Sequence, residues 1–326
     1  MKRLAAPWVL FFAIATGITG FSLVASAADV GFPMKGKAVS LLVAFPAGGS
    51  TDVGARLLAP LIEKEIGTPV QVINRSGAGG QVGFAETGRS KPDGYSIGYV
   101  NIPSIITMYL DPERKATFTR ASFQPMAMHV VDPAVIYVRA DSPFKTLKDL
   151  LDAAKAKPNT ITMGGDGVMT DDHLVILQLE KLTGTKFAAV QFDGSAKAMA
   201  AVLGGHIDSK AGNIGDLQSQ FKSGEVRVLA LLDKEENPFI PGVKTALAQG
   251  VNLVSSTGRG LVLPAGTPQH IVTLMTNAVK KAMSDADHKR KMDDSGLTLR
   301  YMDPAQFTRY WVDFEEQVKP LMSLGR

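Results

Sequence analysis

Residues 38–58 read Ala-Val-Ser-Leu-Leu-Val-Ala-Phe-Pro-Ala-Gly-Gly-Ser-Thr-Asp-Val-Gly-Ala-Arg-Leu-Leu. Ala38 to Phe45 is a short run rich in Val and Leu, the composition of a strand buried on both faces of a parallel sheet. Pro46 ends it. Leu57, Leu58, Leu61, Ile62 and Ile66 then recur at the spacing of a helix lying on that sheet. A strand turning through Gly48-Gly49-Ser50-Thr51 into a helix predicts an α/β protein. Ser50 or Thr51 is expected to cap the helix, and Pro60 to kink it. The first-turn N–H groups have no partner inside the helix, and the helix dipole is positive at that end. The junction is therefore suited to an anion, although a plain β–α turn would use the same residues.

Outward from this stretch the alternation continues. Pro69 to Ile73 reads as a strand, Asn74-Arg75-Ser76-Gly77-Ala78-Gly79-Gly80 as a glycine-rich loop, Gln81 to Ser90 as a helix and Tyr95 to Val100 as a third strand ending at Asn101. A parallel sheet brings these loops to one edge, where ligands of open α/β folds sit. Phe123 to Val131 and Ala134 to Arg139 are consecutive β-type runs parted only by Asp132-Pro133, which predicts a crossing between domains. The strand, small-residue loop, helix pattern then repeats through Thr160 to Met163 with Gly164-Gly165-Asp166-Gly167, and through Phe187 to Gln191 with Phe192-Asp193-Gly194-Ser195. From Ser255 the chain is expected to return to the first domain. Thr267-Pro268 and Asp303-Pro304-x-Gln306 start its helices, and Phe307, Tyr310, Trp311 and Phe314 form a core face.

Lys2 and Arg3, the apolar Ala5 to Val24 and the small-x-small Ala25-Ser26-Ala27 predict a signal peptide over residues 1–28, hence export to the periplasm. An uncleaved anchor is the competing reading. Two domains follow, one from 29–131 with 255–326 and the other from 132–254. Without Lys2 and Arg3, 33 basic side chains face 31 acidic ones, a charge of +2, and no basic tract remains to suggest nucleic acid. Zero cysteines exclude disulfides and thiol chemistry.

Familiar catalytic signatures fail. Gly77-x-Gly79-x-x-Val82 lacks the third glycine of a dinucleotide fingerprint. Gly48-Gly49-Ser50-Thr51-Asp52 departs from a hydrolase elbow at its last position, leaving an exported hydrolase using Ser50 as the rival from another class. His129, His173, His206, His270 and His288 show no paired metal-ligand spacing. No catalytic residue, metal or cofactor is expected.

Val43-Ala-Phe-Pro-Ala-Gly-Gly-Ser-Thr-Asp-Val53, Asn74-Arg-Ser-Gly-Ala-Gly-Gly80, Lys91-Pro-Asp-Gly-Tyr95, Leu203-Gly-Gly205 and Leu263-Pro-Ala-Gly-Thr-Pro268 resemble, in order and spacing, the Bug-type solute-binding proteins of tripartite tricarboxylate transporters. The resemblance runs from about residue 33 to the C-terminus. It implies a two-lobed periplasmic-binding-protein fold of the Venus-flytrap type, each lobe a mainly parallel sheet flanked by helices. It also implies a monomer that closes on a small organic acid and hands it to a membrane permease. A further reading is a sensor that presents its closed form to a signalling kinase and moves no solute.

By position, the proximal seat would be Phe45, Gly48, Gly49, Ser50, Thr51, Gly79, Gly80 and Asn101. The opposite lobe would add Gly164, Asp166, Thr170, Asp171, Gly194 and Ser195. Met169-Thr170-Asp171-Asp172-His173 and Phe192-Asp193-Gly194-Ser195 depart from the family's usual small, serine-bearing and Tyr-Lys-Gly-Ser runs. Two like charges ~4 Å apart cost about 4 kcal/mol at an effective dielectric of about 20, so these aspartates would disfavour a second ligand carboxylate. A hydroxyl, amine or aromatic group is expected there instead, unless Asp171 and Asp172 only cap a helix and face water.

Overall fold

A computed structural model describes Met1 and residues 31–325; the remainder of the expected signal peptide lies outside the described residues. The first lobe opens with β1 (Val39–Val43), α1 (Ser50–Ile66), β2 (Val70–Asn74), α2 (Gln81–Arg89), β3 (Ser96–Ile102) and α3 (Ser104–Leu110). A 17-residue strand, β4 (Phe123–Arg139), leads into the second lobe. There follow α4 (Leu147–Ala156), β5 (Thr162–Gly165), α5 (Asp171–Thr183), β6 (Ala188–Gln191), α6 (Ser195–Leu203), β7 (Ser209–Asn213), α7 (Ile214–Lys222) and β8 (Val226–Leu232). The chain then returns through β9 (Ser256–Pro264), α8 (Gln269–Met283), α9 (Ala286–Asp294), β10 (Leu299–Met302) and α10 (Pro304–Val318).

The strands run β2-β1-β3-β9-β4-β7-β5-β6, with β8 and β10 also paired to β4. β1 is parallel to β2 and β3, and β5 is parallel to β6 and β7. Antiparallel β9 and β4 form the seam. The first part of β4 pairs β9 as far as Pro133↔Ser256, and Ala134 to Arg139 pair β7 and β8. The two runs expected on either side of Asp132-Pro133 are thus one continuous strand shared by both lobes. Pro133 sits where β4 changes partners, so its missing N–H interrupts little of either ladder.

The interior divides at the same place. Leu41, Val43, Leu58, Ile62, Met126, Leu261 and Met275 form one mass on the α1 and α8 face. Phe84, Ile105, Phe123, Phe307 and Trp311 fill the other face, so the aromatics of α10 are core as expected. In the second lobe the alternation of β4 sends Ile136 and Val138 to the α4 and α5 side, and Val135 and Tyr137 to the α6 and α7 side. α1 continues through Pro60 to the left-handed Gly67. Among the described residues no helix is long and apolar enough to cross a membrane.

Candidate functional site

The turn after β1 is braced by its own helix. Asp52 in the first turn of α1 accepts from the Gly48 N–H (3.0 Å), from Asn74 Nδ2 (2.9 Å) and from Arg56 Nε (3.0 Å). Asn74 Nδ2 also donates to the Phe45 carbonyl at 3.0 Å. Burial alone would raise the Asp52 carboxyl, but these donors and the Arg56 charge hold it below the usual carboxylate range. The N-cap is Gly49 rather than Ser50 or Thr51, and neither hydroxyl caps the helix. The Ser50 N–H donates instead to Asp216 Oδ1 at 3.1 Å. Asp216 belongs to α7 of the second lobe, so part of the expected anion seat is met by a carboxylate of the protein itself. The other oxygen of Asp216 accepts from the Ser195 hydroxyl at 2.6 Å. Burial opposes its ionisation, but Lys210, Arg259 and the serine hydrogen bonds outweigh that and keep it below its ordinary value.

The Ser50 and Thr51 hydroxyls are held by Arg259 on β9, a guanidinium only 2% exposed. Its Nη2 donates to Ser50 Oγ (2.6 Å) and Asn213 Oδ1 (3.3 Å), its Nε to Thr51 Oγ1 (3.0 Å) and its Nη1 to Asp132 Oδ2 (2.7 Å). One planar fork thus ties α1, the β4 crossover and the end of β7 together. Burial pushes the Asp132 carboxyl up to about 6 in spite of Arg259 beside it.

On the distal side Lys210 Nζ is fully buried and pairs with Asp172 Oδ2 at 3.0 Å, also donating to Ser195 Oγ at 3.1 Å. Asp171 Oδ1 accepts from Ser104 Oγ at 2.8 Å, and its other oxygen accepts from the Thr257 hydroxyl; both donors belong to the first lobe. Asp171 and Asp172 therefore do not face water. The N-cap of α5 is Thr170, whose hydroxyl donates to Asp166 Oδ1 at 2.5 Å. Burial first, and the neighbouring Asp171 charge second, push Asp166 up to about 7. Asp172 is raised by burial and by the Asp166 charge.

Between the lobes these elements border a partly open cavity of about 100 Å³. Of the residues expected there, Phe45, Gly49, Ser50, Thr51, Asn101, Asp166, Asp171 and Ser195 line it, with Asp193 and Lys197 paired at 3.3 Å on the rim. Gly48, Gly79, Gly80, Gly164, Thr170 and Gly194 are not among the lining residues. Several of these support it. Gly79, at φ +68°, lets its loop approach the Val168 carbonyl of the other lobe, which a Cβ would meet at 3.3 Å. Gly194, at φ +91°, makes room for Pro46, which a Cβ would meet at 2.9 Å. Gly164 lies within β5, and Gly80 backs onto Phe84.

Arg259, Asp216, Asn213, Asp132 and Lys210 complete the site and were not expected from the sequence, and Asp172, expected either to meet the ligand or to cap a helix in water, pairs with Lys210. Asn213-Ile-Gly-Asp216 has the spacing of a capping box and does cap α7, a signal that could have located that helix. Nothing local marks Arg259 or Lys210, each a lone cation within a strand. His173 Nδ1 accepts from the Met169 N–H at 3.0 Å, and among the described residues no histidine lines the cavity.

Residues 54–324 match the family described as tripartite tricarboxylate transporter family receptor (TctC). The chain is similar to the UPF0065 protein in the gbd 5' region of Cupriavidus necator, with 29% identity over 317 residues, covering 95% of this chain and 94% of that one. A solved structure of a periplasmic transporter aligns at TM-score 0.85 with 27% identity, covering 90% of this chain and 98% of that one. The periplasmic binding protein BugD aligns at TM-score 0.80 with 25% identity, covering 87% and 97%.

Proposed function

Because the chain belongs to the tripartite tricarboxylate transporter receptor family, with Bug-type relatives, we propose that it is a periplasmic receptor that captures a small organic acid between its lobes and delivers it to the membrane permease. The observation that carries this reading is the cavity at the lobe junction, where the first turn of α1 meets the buried Arg259 guanidinium. Helix N-termini and guanidinium groups stabilise carboxylates, and exclusion of water strengthens both effects. The lobes divide at 131/132 and 254/255, just before β4 passes from β9 to β7 and β8 and where the chain returns toward β9, and opening there admits the ligand. A hydrolase built on Ser50 lacks support: its Oγ accepts from a permanently charged guanidinium, which cannot serve as the general base a nucleophilic serine needs.

A thermal-shift screen of the mature protein against mono-, di- and aromatic carboxylates tests the proposal. A true ligand at 100 times its dissociation constant adds about 2.7 kcal/mol of stability, and no shift with any acid overturns the reading. Ser50→Ala is expected to weaken binding and to reveal no turnover in either protein; loss of a measurable turnover would favour the enzyme.

A further inference from the structure

The groups facing the cavity are unequal in hydrogen-bonding character. Asn101, 3% exposed, donates through Nδ2 to Thr51 Oγ1 at 2.9 Å, while its Oδ1 is buried with no partner. Asp166, Asp171 and Asp216 present carboxylates to the same space. Each carboxylate has about four lone-pair sites and can accept more than the protein donors it meets, one at Asp166, two at Asp171 and three at Asp216. Most side-chain donors beside these carboxylates, by contrast, already have partners: Arg259 serves Ser50, Thr51, Asp132 and Asn213 with four of its five N–H groups, the Ser195 hydroxyl serves Asp216, and Asn213 Nδ2 serves the Asp132 carbonyl at 3.1 Å. Lys210 serves Asp172, Ser195 and the Ala211 carbonyl. A ligand group that meets the Asn101, Asp166 and Asp171 side of this space gains by bringing N–H or O–H donors and by offsetting negative charge.

We propose that the ligand is a small zwitterion, an amino acid in the broad sense, whose protonated amine seats against Asn101 Oδ1 and the carboxylates of Asp166 and Asp171, with its acid group toward Gly49 to Thr51 at the start of α1. This rests on the receptor reading above and names the ligand class within it. An ammonium group carries three donors and a positive charge, which matches an acceptor-rich wall. A second carboxylate placed there would meet like charge and add further acceptors, so dicarboxylates are selected against.

The test is calorimetry on the mature protein at about pH 7.5, where aliphatic amines are protonated. The probes are two matched series: 4-aminobutanoate, butanoate and succinate, then β-alanine, propanoate and malonate. The amino acid of at least one series is expected to bind tenfold or more tightly than the monoacid that lacks its amine, with the diacid weakest. Asn101→Asp, which adds a carboxylate to the wall, should widen the preference for the amine, and Asp171→Asn should narrow it. The opposite signs keep the test decisive even if one variant does not fold. A diacid that binds more tightly than its amino counterpart, or a preference unmoved in Asn101→Asp, overturns the amine seat and leaves the acid receptor standing. Butylamine binding as tightly as 4-aminobutanoate keeps the amine seat and removes the acid receptor. No binding by any probe up to about 1 mM overturns both.

Discussion

Each wall of the cleft begins a helix, and each helix start is completed by a side chain of the other lobe. The Ser50 N–H of α1 is met by the Asp216 carboxylate, and the Asp171 N–H of α5 by the Ser104 hydroxyl at 3.3 Å. The partners differ because the surroundings differ. α1 starts beside Arg259, which favours a carboxylate, whereas α5 carries Asp171 and Asp172 in its own first turn and takes a neutral oxygen. The walls also differ in their buried ion pairs. Arg259 faces the cavity and binds four oxygens, while Lys210 sits behind it with Asp172, whose carboxyl is pushed upward. Burial raises a carboxyl on both sides, Asp132 to about 6 beside Arg259 and Asp166 to about 7 with Asp172 beside Lys210, so the distal wall gathers more groups that can take up protons.

The sharpest break in that contrast is Arg259→Met. It leaves Asp132 buried without its charged partner, with only the Gly215 N–H still donating to it, and should cost about 3–5 kcal/mol in urea unfolding, with Arg259→Lys recovering only part because an ammonium lacks the planar fork. Lys210→Met should cost less, about 2–3 kcal/mol at pH 8, and less again near pH 5, since Asp166 and Asp172 can then neutralise themselves. A cost equal to that of Arg259→Met at both pH values would show that the two walls do not differ.

Asp166→Asn isolates the proton. The native carboxyl is raised from 3.8 to about 7, so the folded state holds a proton that the unfolded state releases, and stability falls as pH rises from about 4 to about 7. The variant has no such loss. Its stability relative to the native protein should climb by about 1–2 kcal/mol between pH 4 and pH 8, below the ceiling of about 4 kcal/mol that three pKa units allow. A flat difference between the two proteins across that range would remove the raised carboxyl from the account. Asp216→Asn is the mildest change, because an amide oxygen can still accept from Ser50. It should lose about 1 kcal/mol of charge-assisted bonding, and an unchanged melting temperature would deny Asp216 its role across the cleft.

Two strand ends illustrate what was legible in sequence. The β1–α1 junction and the loop carrying Asp166 to Asp171 were readable because the apolar period changes there and small or acidic residues punctuate it. Asp171 was identified as a distal residue, but its bonds to Ser104 and Thr257 join positions 67 and 86 residues apart, which no local pattern encodes. Of the glycines expected at a ligand, Gly49 lines the cavity, whereas Gly79 and Gly194 permit close approach of one lobe to the other.

The order of apolar runs and turns, by itself, determined an α/β chain with two lobes, a ligand edge after the first strands and an aromatic C-terminal core. Those features follow from periodicity and backbone preference, which act over a few residues. Only the tertiary structure decided which charges meet: Arg259 with Asp132, Lys210 with Asp172, and Asp216 across the cleft at Ser50. Electrostatic pairing depends on distance in space and on exclusion of water, and both arise only when β4 and β9 bring the two halves of the chain together.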